Sequence, residues 1–139
     1  MKYILVLLAT LGIIASSLAL REHYRTEGDS PCSINERWDC GIVNHSPYAT
    51  LAGIPVAILG IAGYILMGAL AWRRAWRMLL PVVLVGLGFS LYLAHIEKDI
   101  LGVWCIYCAI SLADISLITL LAIGTTISSL LRRPENKPA

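Results

Sequence analysis

The chain has 139 residues, 58% of them hydrophobic and only 14% charged, with a net charge of +2. So apolar a composition excludes an ordinary soluble domain. So small a charge, with no basic groove and no interleaving of aromatic and basic residues, excludes nucleic acid as the natural partner.

In chain order, the first apolar run covers 4–20. Met1-Lys2 ahead of it and Ser17-Leu18-Ala19 near its end are compatible with a cleaved signal peptide. An uncleaved first helix is the simpler reading, because the leading charge is a single lysine and further apolar runs follow. The stretch 21–46 is polar. It opens as a charged linker, turns at Gly28-Asp29-Ser30-Pro31, and carries Cys32 and Cys40. Ser46-Pro47 reads as a helix start, with serine as cap and proline at the first helical position. The second helix is expected over 47–71, with Pro55 as a kink and Gly53, Gly60 and Gly63 allowing neighbours to come close. A third helix is expected over 78–96, where Gly86 and Gly88 do the same, and a fourth over 102–131. Each run approaches or exceeds the roughly 20 residues a helix needs to cross lipid. The expected fold is an all-α integral membrane protein, a single domain built as a four-transmembrane-helix bundle with a cysteine-bearing outer loop at 21–46.

Charge sets the expected orientation. Lys2, Arg73, Arg74, Arg77, Arg132, Arg133 and Lys137 would share one side; Arg21, Arg25, Arg37 and Lys98 would share the other, with seven of the nine acids. The positive-inside rule then puts both termini in the cytoplasm and the cysteines outward, in an inner or plasma membrane. Arg21 and Arg25, close to the end of the first helix, pull the other way. Trp72 and Trp76 fall near the inner interface and Trp104 near the outer one.

Cys105 and Cys108 form a CIYC motif at the start of the fourth helix. Three apart on a helix, they share a face. Free backbone N–H groups and the dipole there favour a thiolate. A low thiol pKa also makes a better leaving group in disulfide exchange. Cys32 and Cys40 close a short loop and read either as a structural disulfide or as a second exchanging pair. Two pairs on one side of the membrane favour exchange. Zinc held by the cysteines with His45 or His95 is a weaker alternative, since an oxidising side favours disulfides, and no metal is expected. Asp114 lies about 13 Å beyond Cys105 along the fourth helix, on the opposite face, and is read as structural rather than as part of a proton path. His95, Glu97 and Asp99 read as a solvated helix end or as proton-transfer groups, and His45 is similarly ambiguous.

The segments PCSINERWDCG, SPYATLAGIPVAILG, SLYLAHI and WCIYC, in this order and spacing, resemble the vitamin K epoxide reductase family in its prokaryotic, quinone-dependent form. The likeness runs from about residue 31 to 112. It implies a four-helix bundle around a quinone of the menaquinone or ubiquinone type. It makes Cys105 and Cys108 the active-site pair, with Cys108 nearest the quinone. It makes Cys32 and Cys40 a relay pair, in which Cys40 attacks Cys105 and Cys32 takes electrons from a thioredoxin-like protein. The chain ends at RRPENKPA, so that partner is expected to be a separate protein, and the enzyme itself a monomer. The positions that hold the vitamin in the animal enzymes fall on Ala49 and Leu112, where both polar contacts are missing; Tyr48 and Tyr92 are the candidate replacement donors, and Gly53 completes the expected quinone contacts. The resemblance thus implies a membrane thiol–quinone oxidoreductase supporting disulfide formation. Alternatives are a non-catalytic membrane subunit with structural disulfides, or an inverted protein that oxidises cytoplasmic thiols.

Overall fold

The computed structural model describes residues 1–24 and 36–132, the side chains at 40 and 41 excepted. Cys32, the Gly28 turn, Arg25, Arg133 and Lys137 lie outside the described residues, as does the side chain of Cys40.

Helix α1 (Lys2–Tyr24) runs past the expected residue 20 and takes in the first four residues of the polar stretch. A six-residue helix, α2 (Cys40–His45), follows in the loop. Asp39 caps it: its Oδ1 accepts from the Ile42 backbone N–H at 3.2 Å. A 3₁₀ turn (Pro47–Ala49) and a small hairpin of β1 (Thr50–Leu51) and β2 (Ile54–Pro55) come next. Three long helices complete the chain: α3 (Val56–Trp72), α4 (Trp76–His95) and α5 (Ile106–Arg132). Helix α4 runs on into a π-helical turn, Ile96–Leu101, which Gly102 ends in the left-handed conformation at φ 71°.

The expected second helix is therefore corrected at its start. It begins at Val56, not at residue 47. Ser46-Pro47 opens only the 3₁₀ turn: Ser46 makes no side-chain cap bond to it and instead closes α2, its hydroxyl donating to the Val43 carbonyl at 2.8 Å. Two local rules defeat the Ser-Pro signal. Proline pushes the residue before it out of helical conformation, so Ile54 is extended. Ala52 and Gly53 both take positive φ, 52° and 81°, as a two-residue hairpin turn requires. Pro55, expected as a kink, is instead the residue that precedes the helix, where its missing N–H costs nothing.

Helix α1 packs along α3 and α5, and α4 packs along α5 and α3, closing a four-helix ring. Among the described residues three helices are long and apolar enough to cross a membrane: Lys2–Tyr24, Trp76–Leu101 and Ile106–Arg132. Helix α3 is apolar but has 17 residues, about 25 Å of rise against a hydrocarbon core of roughly 30 Å. The described chain is thus mainly helical, with three apolar helices of spanning length and one shorter apolar helix.

Close packing at one end uses small residues. A Cβ on Gly12 would run into the Tyr64 ring, one on Gly68 would meet the Ala9 methyl at 3.4 Å, and one on Gly86 the Met67 Cε at 2.8 Å. Leu5, Met67, Ala71, Leu79, Val83, Ile115, Ile118 and Ala122 fill the space between them and are buried. At that end Lys2 lies 4.3 Å over the Trp72 ring. The cysteines lie at the other end.

Candidate functional site

Cys105 is the residue immediately before α5, and the first helical bond of that end runs from the Ala109 N–H to the Cys105 carbonyl at 2.9 Å. Its side chain therefore sits where a capping group would. The Cys108 backbone N–H bonds to the Cys105 sulfur, and the Cys108 thiol makes a second hydrogen bond with it. Asn44, on α2, donates from Nδ2 to the same sulfur at 3.5 Å. The bond with the Cys108 thiol draws the Cys105 thiol below its ordinary range; burial and the nearby Glu97 charge oppose this, and the Cys108 N–H and Asn44 add to it. Cys105 is wholly buried.

Glu97 joins the two cysteines. Its Oε2 accepts from the Cys105 backbone N–H at 3.0 Å, and its carboxyl is also within hydrogen-bonding reach of the Cys108 thiol. It is 3% exposed. His95 and Asp99, on either side of it, are exposed and pair with each other at 2.7 Å. Of the three polar residues ending the third helix, one thus belongs to the sulfur site and two are solvated. A signal was present in the spacing: residues two apart on a helix differ by about 200°, so a carboxylate midway between an exposed i,i+4 pair points inward. The π-turn that carries Glu97 is the kind of irregularity often found at functional sites.

The segment that leads into α2 is fastened to this site through backbone. Trp38 and Trp104 form an isolated parallel bridge: the Asp39 N–H donates to the Trp104 carbonyl at 2.9 Å and the Trp104 N–H to the Arg37 carbonyl at 2.6 Å. The backbone of Cys40 is two residues beyond one partner of this bridge, and Cys105 one residue beyond the other. From α1, the His23 ring donates from Nδ1 to the Asn44 carbonyl at 2.7 Å. That bond fixes the ring tautomer and ties the end of α1 to α2.

Next to the cysteines the bundle is hollow. A cavity of about 590 Å³ runs between α1, α3, α4 and α5, lined mainly by apolar side chains. Cys108, Glu97, Asn44 and Trp104 stand at its sulfur end, and Tyr64, Met67 and Ile115 belong both to its wall and to the packed core. Of the expected quinone contacts, Leu112 lines this cavity, while Tyr48, Ala49, Gly53 and Tyr92 are not among its lining residues. Tyr48 and Tyr92 are exposed, Tyr92 against the Phe89 ring, and Ala49 is buried under the loop. Gly53 is in the hairpin turn, with open space around it. Asn44, Tyr64 and Ser111 are polar cavity residues that motif reasoning passed over, while Glu97 is the one of the three helix-end candidates that lines the cavity. Asp114 is buried in α5, and its Oδ2 has no hydrogen-bond partner among the described residues. No metal-holding group of histidine, cysteine or carboxylate side chains occurs among the described residues.

A buried and a half-buried thiol at a helix start, an acid between them and an apolar cavity beside one of them suit thiol–disulfide redox chemistry. The family model described as Vitamin K epoxide reductase family matches residues 3–124. A search of the curated proteins finds no match.

Proposed function

The chain belongs to the vitamin K epoxide reductase family, whose members are membrane thiol oxidoreductases, and from that premise we propose that it carries two electrons from a thioredoxin-like protein, through Cys32–Cys40 and then Cys105–Cys108, to a membrane quinone. The carrier dithiol reduces the Cys32–Cys40 disulfide and leaves oxidised. The Cys40 thiolate attacks Cys105, breaking the Cys105–Cys108 bond and releasing Cys108. Cys32 then attacks Cys40, expelling Cys105 and restoring the loop disulfide. The Cys105–Cys108 dithiol gives two electrons and two protons to the quinone, becoming a disulfide as quinol forms. The net product is a disulfide in the carrier, which supports disulfide formation in its clients.

The observation that carries this reading is the division of labour at the CIYC motif. Cys108 lines the cavity; Cys105 is buried beside the segment bridged to the relay loop. An attack that arrives from the loop meets Cys105, and an acceptor in the cavity meets Cys108. The lowered Cys105 thiol fits its part, since a more acidic thiol leaves faster in exchange. Glu97, in reach of Cys108, can take the proton of that thiol as it reacts and return it to the reduced acceptor. All four long helices would lie in the membrane, the shorter α3 compensated by the hairpin before it, with both termini cytoplasmic. Lys2, Arg73, Arg74, Arg77 and Arg132 support that orientation; a reporter fused at residue 139 reads cytoplasmic, and a cytoplasmic reading from a fusion at residue 28 would reverse it.

The exchange step is tested by Cys108→Ala. In that variant the Cys105 thiolate attacks the Cys32–Cys40 disulfide at Cys40 and releases the Cys32 thiol; blocking free thiols then stops Cys32 from reversing the exchange, and non-reducing peptide mapping recovers a Cys40–Cys105 peptide pair. Recovery of Cys32–Cys40 alone, with Cys105 unjoined under oxidising conditions, would contradict the relay.

A further inference from the structure

Tyr64 of α3 and Ser111 of α5 meet on the wall of the cavity. The tyrosine Oη lies 2.7 Å from Ser111 Oγ and 3.0 Å from the Ser111 carbonyl oxygen. Tyr64 is 4% exposed, so its hydroxyl needs a partner inside the protein. The two hydroxyls together carry two hydrogens, and each oxygen also accepts. Two arrangements satisfy the heavy-atom distances. In one, tyrosine donates to the Ser111 carbonyl and serine donates to tyrosine, and both hydrogens are used internally. In the other, tyrosine donates to Oγ, and the serine hydrogen turns outward. The change is a hydroxyl rotation with no movement of heavy atoms. The pair can therefore offer one donor to a ligand and take it back when the cavity holds none.

Its place along α5 gives that donor a use. Ser111 is three residues past Cys108, about 4.5 Å further along the axis and on nearly the same face. Cys108 and Ser111 thus both face the cavity one helical turn apart, and a ring lying along α5 can turn one carbonyl towards each. We propose that the Tyr64–Ser111 hydroxyl pair holds the quinone carbonyl remote from Cys108, so that the site selects acceptors with two carbonyls across one ring. This rests on the functional reading above and adds a positioning pair to it. The near carbonyl faces Cys108 and Glu97; the far one receives the Ser111 hydrogen. No covalent step is assigned to either hydroxyl.

The test uses the full-length protein in lipid nanodiscs, with menadione as acceptor and dithiothreitol as reductant. Ser111→Ala, Tyr64→Phe and the double variant are compared with the unmodified chain. The loss of a single neutral hydrogen bond raises KM for menadione about fivefold. The double variant is no worse than either single one, because the two hydroxyls act as a unit. The infrared spectrum of isotope-labelled menadione bound to the oxidised protein supplies a readout that packing alone would not move: in each variant one carbonyl stretch rises in frequency and the other stays. Tyr64→Phe keeps the ring that packs against Gly12, and Ser111→Ala is small, so a folding defect in one leaves the other to decide. Unchanged KM and unchanged carbonyl stretches in a variant that folds would overturn the inference alone. If the unmodified protein neither binds nor reduces menadione, the quinone reading itself is overturned, and the inference with it.

Discussion

At the Lys2–Trp72 end of the bundle, Leu5, Ala71, Leu79, Val83 and Ala122 are almost wholly buried, and glycines let the helices touch. At the cysteine end, Ala15, Ala19, Ala57 and Gly63 are just as small, yet they stand around an open volume of about 590 Å³. Glycine marks the contrast. A Cβ on Gly86, where the cavity wall meets the packed core, would press on Met67 at 2.8 Å, whereas one on Gly63, one helix away, would meet nothing within 4 Å. Small residues close the first region and hollow the second. At the packed end long side chains such as Leu5, Leu79 and Ile118 fill the gaps, whereas at the cysteine end Leu59, Phe89, Leu93 and Trp104 stand around the cavity as its wall. The packed half then serves as a rigid base, through Tyr64, Met67 and Ile115, for a half that must receive a ligand.

Filling each half should separate stability from activity. Gly63→Leu places its side chain in the open volume. It is expected to leave thermal stability within about 1 kcal/mol, or to raise it slightly through better helix propensity, while lowering quinone reduction by a factor on the order of 100 through exclusion of the acceptor. Gly86→Leu overpacks against Met67 and Ile115 and is expected to cost about 1–3 kcal/mol of stability. Thermal unfolding and anaerobic quinone reduction on both variants check this. Equal losses of activity and stability in the two would erase the distinction between the halves.

A smaller effect sharpens the chemistry of the hollow end. The Cys105 thiol is drawn down chiefly by its bond with Cys108 and pushed up by the Glu97 charge. Cys108→Ala should therefore move the Cys105 titration to higher pH. Glu97→Gln, which keeps an oxygen to accept the Cys105 N–H but removes the charge, should move it to lower pH. Thiolate ultraviolet absorbance against pH reads both in reduced protein, and shifts of the same sign in the two variants would contradict the assigned causes.

Much of the fold is legible in the residues. The apolar runs of α1, α4 and α5 are long enough to be read as helices from composition alone, and each is a helix of spanning length. The start of α3 is not legible in the same way. Ser46-Pro47 is a good helix-start signal, and only the conflict with Ala52-Gly53 and Ile54-Pro55, resolved in favour of a hairpin, defers the helix to Val56. Within the site, the CIYC motif announces itself by spacing. Asn44 does not, because its bond to Cys105 joins residues 61 apart. Nor does the Trp38–Trp104 bridge, a single pair of backbone contacts between two irregular segments. Glu97 sits between two solvated charges and takes on meaning only once the π-turn is known. Local rules identify the thiols; the acid, the amide and the cavity that give the thiols work depend on contacts across the bundle.

The central claim is that electrons enter at the loop pair and leave through the cavity pair. It is tested most directly by replacing Cys32 and Cys40 together with alanine and measuring anaerobic quinone reduction with two donors. A folded thioredoxin-like carrier cannot reach Cys105, which is wholly buried, because exchange needs an in-line approach of thiolate to sulfur. Dithiothreitol is small enough to enter. The account predicts that the double variant loses carrier-driven reduction and keeps a measurable part of the dithiothreitol-driven rate, and that Cys105→Ala and Cys108→Ala each lose both. Full carrier-driven activity in the double variant would contradict it and leave the loop pair a structural bond.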